Sequence, residues 1–341
     1  MAYHFKNLVF EGGGVKGIAY TGALEVFDRE GILQNIERVA GTSAGAMMAV
    51  LVGLRYSSKE VQEVLWNLDF KGFIDSSWGV LRNTHRLFKE YGWCKGDYFR
   101  SVMAELIERK TGNGEITFGE LARMQQFRDI YLVGADLTTG LSKLFCARQT
   151  PEVKVADAAR ISMSIPFLFA AKRGGQNKKH LYVDGGLLDN YAIKTFDQLD
   201  FIADRNHSRR TEYYDKINSQ TKSLKSKVQR EYVYNKETLG FRLDSEEDIS
   251  MYLTHEEVPS KEIDSFFSYT KALVTTLIDF QNNVHLHSDD WQRTVYIDTL
   301  GVRAIDFDIP DDRKKDLVAS GVKCTERYLD WYNNDEEKAN I

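Results

Sequence analysis

The chain has 341 residues, enough to bury one large hydrophobic core or two modest ones. Its net charge of −5 and pI near 5.9 argue against a protein that binds nucleic acid through the phosphate backbone. Its 3 cysteines are far apart and lack metal-ligand spacing, which fits a reducing compartment. There is no apolar signal core at the N-terminus and no run of about 18 apolar residues. We therefore expect a cytoplasmic protein without a membrane-spanning helix.

The first predicted unit is a strand, a glycine-rich loop and a helix, at residues 8–10, 11–17 and 18–27. Three of its glycines match the dinucleotide fingerprint G-x-G-x-x-G: Gly12, Gly14 and Gly17. That interpretation needs a carboxylate at the end of the second strand, but residues 39–42 read Val-Ala-Gly-Thr. A P-loop lysine is also missing. An oxyanion hole built from exposed glycine amides is the favoured interpretation.

The second predicted unit is centred on Gly41-Thr42-Ser43-Ala44-Gly45, between a short apolar strand at 36–40 and an apolar helix at 46–52. A serine between two glycines at a strand-to-helix turn is typical of a nucleophile elbow, although an ordinary helix N-cap remains an alternative. In one parallel sheet, this turn and the glycine loop lie at the same edge. Lys16 either adds positive charge there or is a solvated side chain at a helix start.

Further along, a helix of small residues at 155–166 precedes a strand at 181–183. Asp184-Gly185-Gly186 follows that strand on a predicted tight turn. We expect Asp184 at the same sheet edge as Ser43, with a simple Asx turn as the alternative.

The chain resembles the patatin-like phospholipases, which are lipid acyl hydrolases with a Ser-Asp dyad. Four blocks match in order and spacing: the glycine loop at 12–17, the elbow at 41–45, the segment at 159–166, and Asp184-Gly185-Gly186 followed by Asn190. The resemblance covers about residues 5–200. It implies a three-layer α/β/α fold with a mainly parallel central sheet and a helical C-terminal elaboration.

The resemblance also implies a mechanism. Ser43 attacks an ester carbonyl, and Asp184 accepts its proton, with Gly185 and Gly186 forming the proton-acceptor loop. The oxyanion hole comes from the glycine loop, chiefly the amides of Gly13, Gly14 and Val15 with help from Lys16, within the set Gly12, Gly13, Gly14, Val15, Lys16 and Gly17. Gly41 and Gly45 frame the elbow. The implied activity is that of a phospholipase A or lysophospholipase that needs no calcium, other metal or cofactor.

The last third of the chain differs in composition. Residues 204–257 are rich in charge, and 221–236 read as a basic helix that is either solvated or binds anionic head groups or a partner. Amphipathic helices are predicted at 263–286 and 311–331. We divide the chain into a catalytic domain at 5–200 and a charged insert with a helical and strand-containing C-terminal region at 201–341, packed on the same domain.

Two other functions stay open. A Ser-His-Asp esterase would take its histidine from those that follow Asp184, namely His207, His255, His285 and His287. A lipid-binding pseudo-enzyme, inactive or gated by a signal, would use the charged region to dock on a partner. The expected partners are a membrane or lipid aggregate met at its surface and, as a candidate, an activating protein or second messenger, with no nucleic acid.

Overall fold

The computed structural model describes residues 3–70, 72, 86–87, 89–223, 230–245, 262–265, 268–270, 272–273, 276–277, 289–304 and 306–334. The strands are β1 Asn7–Phe10, β2 Arg38–Thr42, β3 Gly92–Cys94, β4 Asp129–Asp136, β5 Leu141–Phe145, β6 Phe167–Phe169, β7 Lys172–Gly174, β8 His180–Asp184, β9 Ser208–Arg209, β10 Tyr234–Asn235, β11 Thr238–Asp244 and β12 Thr294–Asp298. The α-helices are α1 Tyr20–Arg29, α2 Ala44–Gly53, α3 Ser58–Trp66, α4 Asp97–Thr111, α5 Phe118–Arg123, α6 Val155–Ser162, α7 Glu212–Ser223 and α8 Asp311–Asn334.

A central sheet organises these elements in the order β12-β11-β1-β2-β4-β8-β7, with β5 also paired to β4. The five strands from β12 to β4 are parallel, and β5, β7 and β8 pair antiparallel. The expected α/β fold with a mainly parallel sheet is therefore confirmed. Residues beyond 200 contribute two of the parallel strands, and α8 packs against α1 and β12.

The two faces of the sheet are covered differently. Alternate strand residues such as Leu8, Val39 and Leu132 belong to a large core that also includes the buried residues of α1, α2 and α8. The opposite face is thinner. There Val9, Ala40 and Tyr131 pack with four side chains from a segment of short 3₁₀ turns: Tyr191, Ile193, Phe196 and Phe201. Helix α7 is joined to this segment by a hydrogen bond from Tyr214 to Asp197.

The register around β4 determines where the ends of β2 and β8 lie. β2 pairs with β4 as far as Thr42 opposite Val133, and β8 pairs with the next part of β4, ending with Asp184 opposite Gly134. β5 pairs with Leu132 through Asp136 and so occupies the other side of β4. β2 and β8 therefore lie on one side of β4 and meet end to end. Asp184 reaches the end of β2 from the opposite direction, on an antiparallel strand.

One local expectation needs correction. Of the basic helix expected at 221–236, residues 221–223 belong to helix α7 and residues 224–229 lie outside the described residues. The prediction is wrong at its end, because residues 234–235 form β10. Most of the helix expected at 263–286 lies outside the described residues; within it, Leu273 and Leu277 are exposed.

Candidate active site

Ser43 lies at a strained turn between β2 and α2. Its φ of 54° and ψ of −123° are unusual for a residue with a side chain, and only 7% of it is exposed. A Cβ on Gly41 would lie 2.0 Å from the Gly45 oxygen, and a Cβ on Gly45 would lie 2.2 Å from the Phe10 oxygen. Only glycine fits at either position, because strand and helix pass within backbone contact of each other.

The end of α6 holds the backbone and contacts the side chain of Ser43. The Ser43 amide donates to Ser162 Oγ at 2.9 Å, and that hydroxyl donates to the Val133 oxygen at 2.6 Å. The Ser43 hydroxyl donates to the Met163 sulfur at 3.6 Å. The 159–166 segment was recognised in the sequence without a role for Ser162 or Met163, since nothing local indicates which distant backbone group a buried hydroxyl will bind.

Asp184 ends β8 beside Ser43 and is only 3% exposed. Its Oδ1 accepts a hydrogen bond from the Gly186 amide at 2.8 Å, whereas the buried Oδ2 accepts none from the residues that the structure describes. Burial raises the pKa of Asp184 to about 7, opposed by the Gly186 amide, the nearby Ser43 hydroxyl and the charge of Arg160. That hydroxyl is close enough to Asp184 to lower its pKa, although it donates here to the Met163 sulfur. A carboxylate with one bare oxygen and a pKa near neutrality can act as a base.

Asn190 connects the loop after Asp184 to the glycine loop. Its backbone oxygen accepts from the Gly12 amide at 3.1 Å, and its side-chain Nδ2 donates to the Gly12 oxygen at 3.2 Å. The hydroxyl of Thr42, next to Ser43, donates to the Asp189 oxygen at 3.0 Å. A Cβ on Gly12 would lie 2.4 Å from Asn190 Oδ1 and 3.0 Å from Ser43 Cβ. The glycine loop therefore lies against the nucleophile, and one asparagine fixes it there.

The amides of the glycine loop are not equally available. Val15 donates to the Ala304 oxygen at 3.0 Å, and Lys16 donates to the Gly13 oxygen at 3.2 Å. Across the described parts of the chain, neither the Gly13 nor the Gly14 amide donates to a protein acceptor. The Lys16 ammonium donates to the Leu243 oxygen at 2.8 Å, which ties it to β11. Gly17 packs against α2, since a Cβ there would lie 3.5 Å from Ala44 Cβ.

Glu11 lies beneath the loop and was not identified as important from the sequence. It is 1% exposed, and its Oε2 accepts from the Leu243 amide at 2.8 Å. Burial raises the pKa of Glu11 to about 7, and the guanidinium of Arg242, whose Nε lies 3.6 Å from Oε1, opposes the rise. Asn190 Nδ2 also lies 3.4 Å from Oε1. This buried group joins the start of the loop to β11.

Two of the described histidines have carboxylate partners other than Asp184. His207 Nδ1 lies 2.9 Å from Glu237, and His180 Nδ1 lies 2.6 Å from Asp136. The other three candidates for a triad, His255, His285 and His287, lie outside the described residues. No group of three metal-ligating side chains occurs among the residues with described positions. In the same part of the chain, no helix has both the length and the apolar character needed to cross a bilayer.

Comparison with known proteins agrees with this geometry. The model of the patatin-like phospholipase family matches residues 8–197. The uncharacterized protein YqhO of Bacillus subtilis is 30% identical over 332 residues, covering 94% of this chain and 97% of that protein. The probable lipid hydrolase 463L of invertebrate iridescent virus 6 is 24% identical over 194 residues, covering 56% of this chain and 62% of the viral protein.

Among solved structures, VipD from Legionella pneumophila superposes with a TM-score of 0.55 and 16% identity, covering 96% of this chain and 67% of VipD. That likeness supports the fold. The family match extends from β1 through the loop after Asp184, so it includes the glycine loop, the elbow and the buried aspartate. The chain therefore belongs to the patatin-like phospholipase family and is a lipid acyl hydrolase that cleaves carboxylic esters.

Proposed function

We propose that Ser43 and Asp184 form the catalytic dyad of a phospholipase A or lysophospholipase that works without calcium. The observation that carries this proposal is the bare, buried Oδ2 of Asp184 at the point where β8 meets β2, next to a serine in a strained turn. A strained, nearly buried serine beside an unsatisfied carboxylate is costly to a protein that only binds lipid.

In the proposed reaction, Asp184 Oδ2 accepts the proton of the Ser43 hydroxyl as Oγ attacks the ester carbonyl carbon. The protonated carboxyl then gives that proton to the departing alcohol, which leaves an acyl group on Ser43. In the second half, water attacks the acyl carbon and Asp184 again accepts a proton. Asp184 then returns that proton to Ser43 Oγ as the bond from Oγ to the acyl carbon breaks, and the fatty acid leaves. Burial supports the base role, because it brings the pKa of Asp184 to about 7.

The negative charge on the tetrahedral intermediate needs donors already in position. In the proposal, the Gly13 and Gly14 amides supply them. The engaged amides of Gly12 and Val15 instead keep the loop in place. The proposed oxyanion hole therefore has two amide donors, Gly13 and Gly14, instead of the larger set expected from the sequence. Lys16 acts through the field of its ammonium group rather than by direct contact, since that group already donates to Leu243.

The proposal is tested with a fluorophosphonate probe and a panel of phospholipids and lysophospholipids. Wild type should be labelled and should release fatty acid equally well with and without EDTA. The Ser43→Ala variant should lose both signals. Ser320→Ala is the matched control, because its hydroxyl donates to the Asp298 oxygen and is remote from Ser43 in the chain. Labelling without release indicates a missing activator or substrate. A folded protein that is never labelled would refute the dyad and favour the lipid-binding alternative.

A further inference from the structure

A small apolar cavity of about 30 Å³ lies beside Ser43. Its walls come from the glycine loop, the first turn of α2, the end of α3 and the turn after α6, and none of the described lining side chains is charged. The lining residues closest to the proposed chemistry in the chain are Gly14, Ala44, Met47 and Met163. A cavity with such walls excludes polar groups and accepts hydrocarbon.

Met163 contacts both this cavity and the nucleophile. Its sulfur lies 3.6 Å from Ser43 Oγ, and the same side chain lines the cavity. Gly14, an oxyanion donor in the proposed mechanism, lines the cavity as well. An acyl carbon bonded to Ser43 Oγ with its oxygen toward Gly14 would therefore have the Met163 side chain and the cavity next to it.

On the basis of the proposed function, we propose that the cavity receives the hydrocarbon tail of the acyl group and that Met163 is the gate which sets the accepted chain length. The cavity is narrow, and its volume of about 30 Å³ is too small for a long hydrocarbon tail. Long tails can then enter only when side chains move. Three lining residues are methionines, Met47, Met48 and Met163, whose unbranched side chains re-pack more readily than β-branched ones.

The gate predicts a dependence on chain length. Each methylene that enters an apolar cavity improves binding about fourfold. In wild type this gain should stop after the first few carbons, where the tail meets Met163. The Met163→Ala variant removes the side chain beyond Cβ, so the gain in binding should continue with longer tails. Met163→Leu keeps a similar volume and should preserve the wild-type dependence. Leu65→Phe fills the cavity from α3, where Leu65 is 5% exposed, and should shorten the accepted tail.

The experiment measures kcat/KM for p-nitrophenyl acetate and octanoate with wild type, Ser43→Ala and these three variants. We expect the octanoate-to-acetate ratio to rise at least tenfold in Met163→Ala, to stay within about threefold of wild type in Met163→Leu, and to fall in Leu65→Phe. Hydrolysis that is absent, or that survives Ser43→Ala, would refute the proposed dyad. Ser43-dependent hydrolysis with an unchanged ratio in both Met163→Ala and Leu65→Phe would refute the gate alone.

Discussion

Two buried aspartates in this molecule have very different surroundings. Asp197, which is fully buried, binds Arg293 through both carboxylate oxygens at 2.6 and 2.7 Å and also accepts from the Tyr214 hydroxyl. Asp184, 3% exposed, accepts a hydrogen bond from the Gly186 amide, and its Oδ2 has no partner among the residues that the structure describes. Both carboxylates have lost water, but only Asp197 has gained a full set of partners in exchange.

The difference separates stability from chemistry. A buried carboxylate with a bidentate guanidinium is compensated and has little tendency to take up a proton. A buried carboxylate without a cation in contact is destabilised in its charged form, so its affinity for a proton rises. The region around Asp197 therefore holds α7, the 3₁₀ segment and β12 together, whereas the region around Asp184 retains a reactive group. Variants of Asp184 should therefore change activity most, and variants of Asp197 should change stability most.

The largest effect should come from Asp184→Asn. Loss of the base should lower kcat/KM by at least about 10³-fold. In the folded wild type, the pKa of Asp184 is about 7, above the ordinary 3.8. The wild-type stability linked to protonation of Asp184 is therefore fully present below pH 4 and is lost as the pH rises to 7. The uncharged variant should therefore be more stable than wild type at pH 8, by about 4 kcal/mol, and equally stable near pH 4. Urea unfolding at both pH values measures this, and a variant that is less stable at pH 8 would contradict the proposed cost of the bare carboxylate.

Asp197→Asn should lower the stability of the protein and leave its activity nearly unchanged. It leaves the guanidinium of Arg293, which is fully buried, without its main counter-charge, which should cost about 3–5 kcal/mol of unfolding free energy. Hydrolysis per folded molecule should stay close to wild type at a temperature where the variant is folded. Urea unfolding and active-site titration separate the two quantities. Loss of activity in fully folded protein would show that this cluster also shapes the site.

The pH dependence should follow Asp184. Because the base must be ionised, kcat/KM should rise about tenfold per pH unit well below 7 and level off above it, a change of about 50-fold between pH 5 and 7. Asp136→Asn is the matched control. Asp136 is buried on β4. Burial favours a higher pKa for Asp136, but its hydrogen bonds with His180 and Thr138 lower the pKa below the ordinary value. The control should keep the same midpoint, whereas a midpoint near 4 in wild type would exclude a buried base.

The smallest effect should come from Ser162→Ala. The variant leaves the Ser43 amide and the Val133 oxygen without their shared partner, at a cost of about 1–3 kcal/mol. Relaxation of the strained turn should slow fluorophosphonate labelling about tenfold. Ser320→Ala removes a comparable hydroxyl-to-carbonyl bond in α8 and should label at the wild-type rate. Equal labelling rates in all three proteins would mean that the elbow is held by its glycines and neighbouring strands alone.

The sequence was most informative where the chemistry depends on local geometry. Two short patterns predicted the turns and the positions of both proposed catalytic residues: Ser43 between Gly41 and Gly45, and Asp184 before two glycines. The sequence did not reveal that β8 runs antiparallel to β4, because strand direction is set by pairing between distant segments. For the same reason, the contacts of Ser162 and Asn190 were not predictable: their partners, Val133 and Gly12, are 29 and 178 residues away.

The end-to-end meeting of β2 and β8 has a consequence for motion. Thr42 and Asp184 pair with adjacent residues of one strand, Val133 and Gly134, so Ser43 and Asp184 cannot separate unless bonds in that ladder break. The Leu137 amide donates to the Leu181 oxygen, and donors alternate along a strand, so the Ala135 amide faces Val183 of β8. A local opening that frees the Ala135 amide for exchange with deuterium is then the same event that would pull the two proposed catalytic residues apart. The exchange protection of this single amide would report the free energy that holds them together.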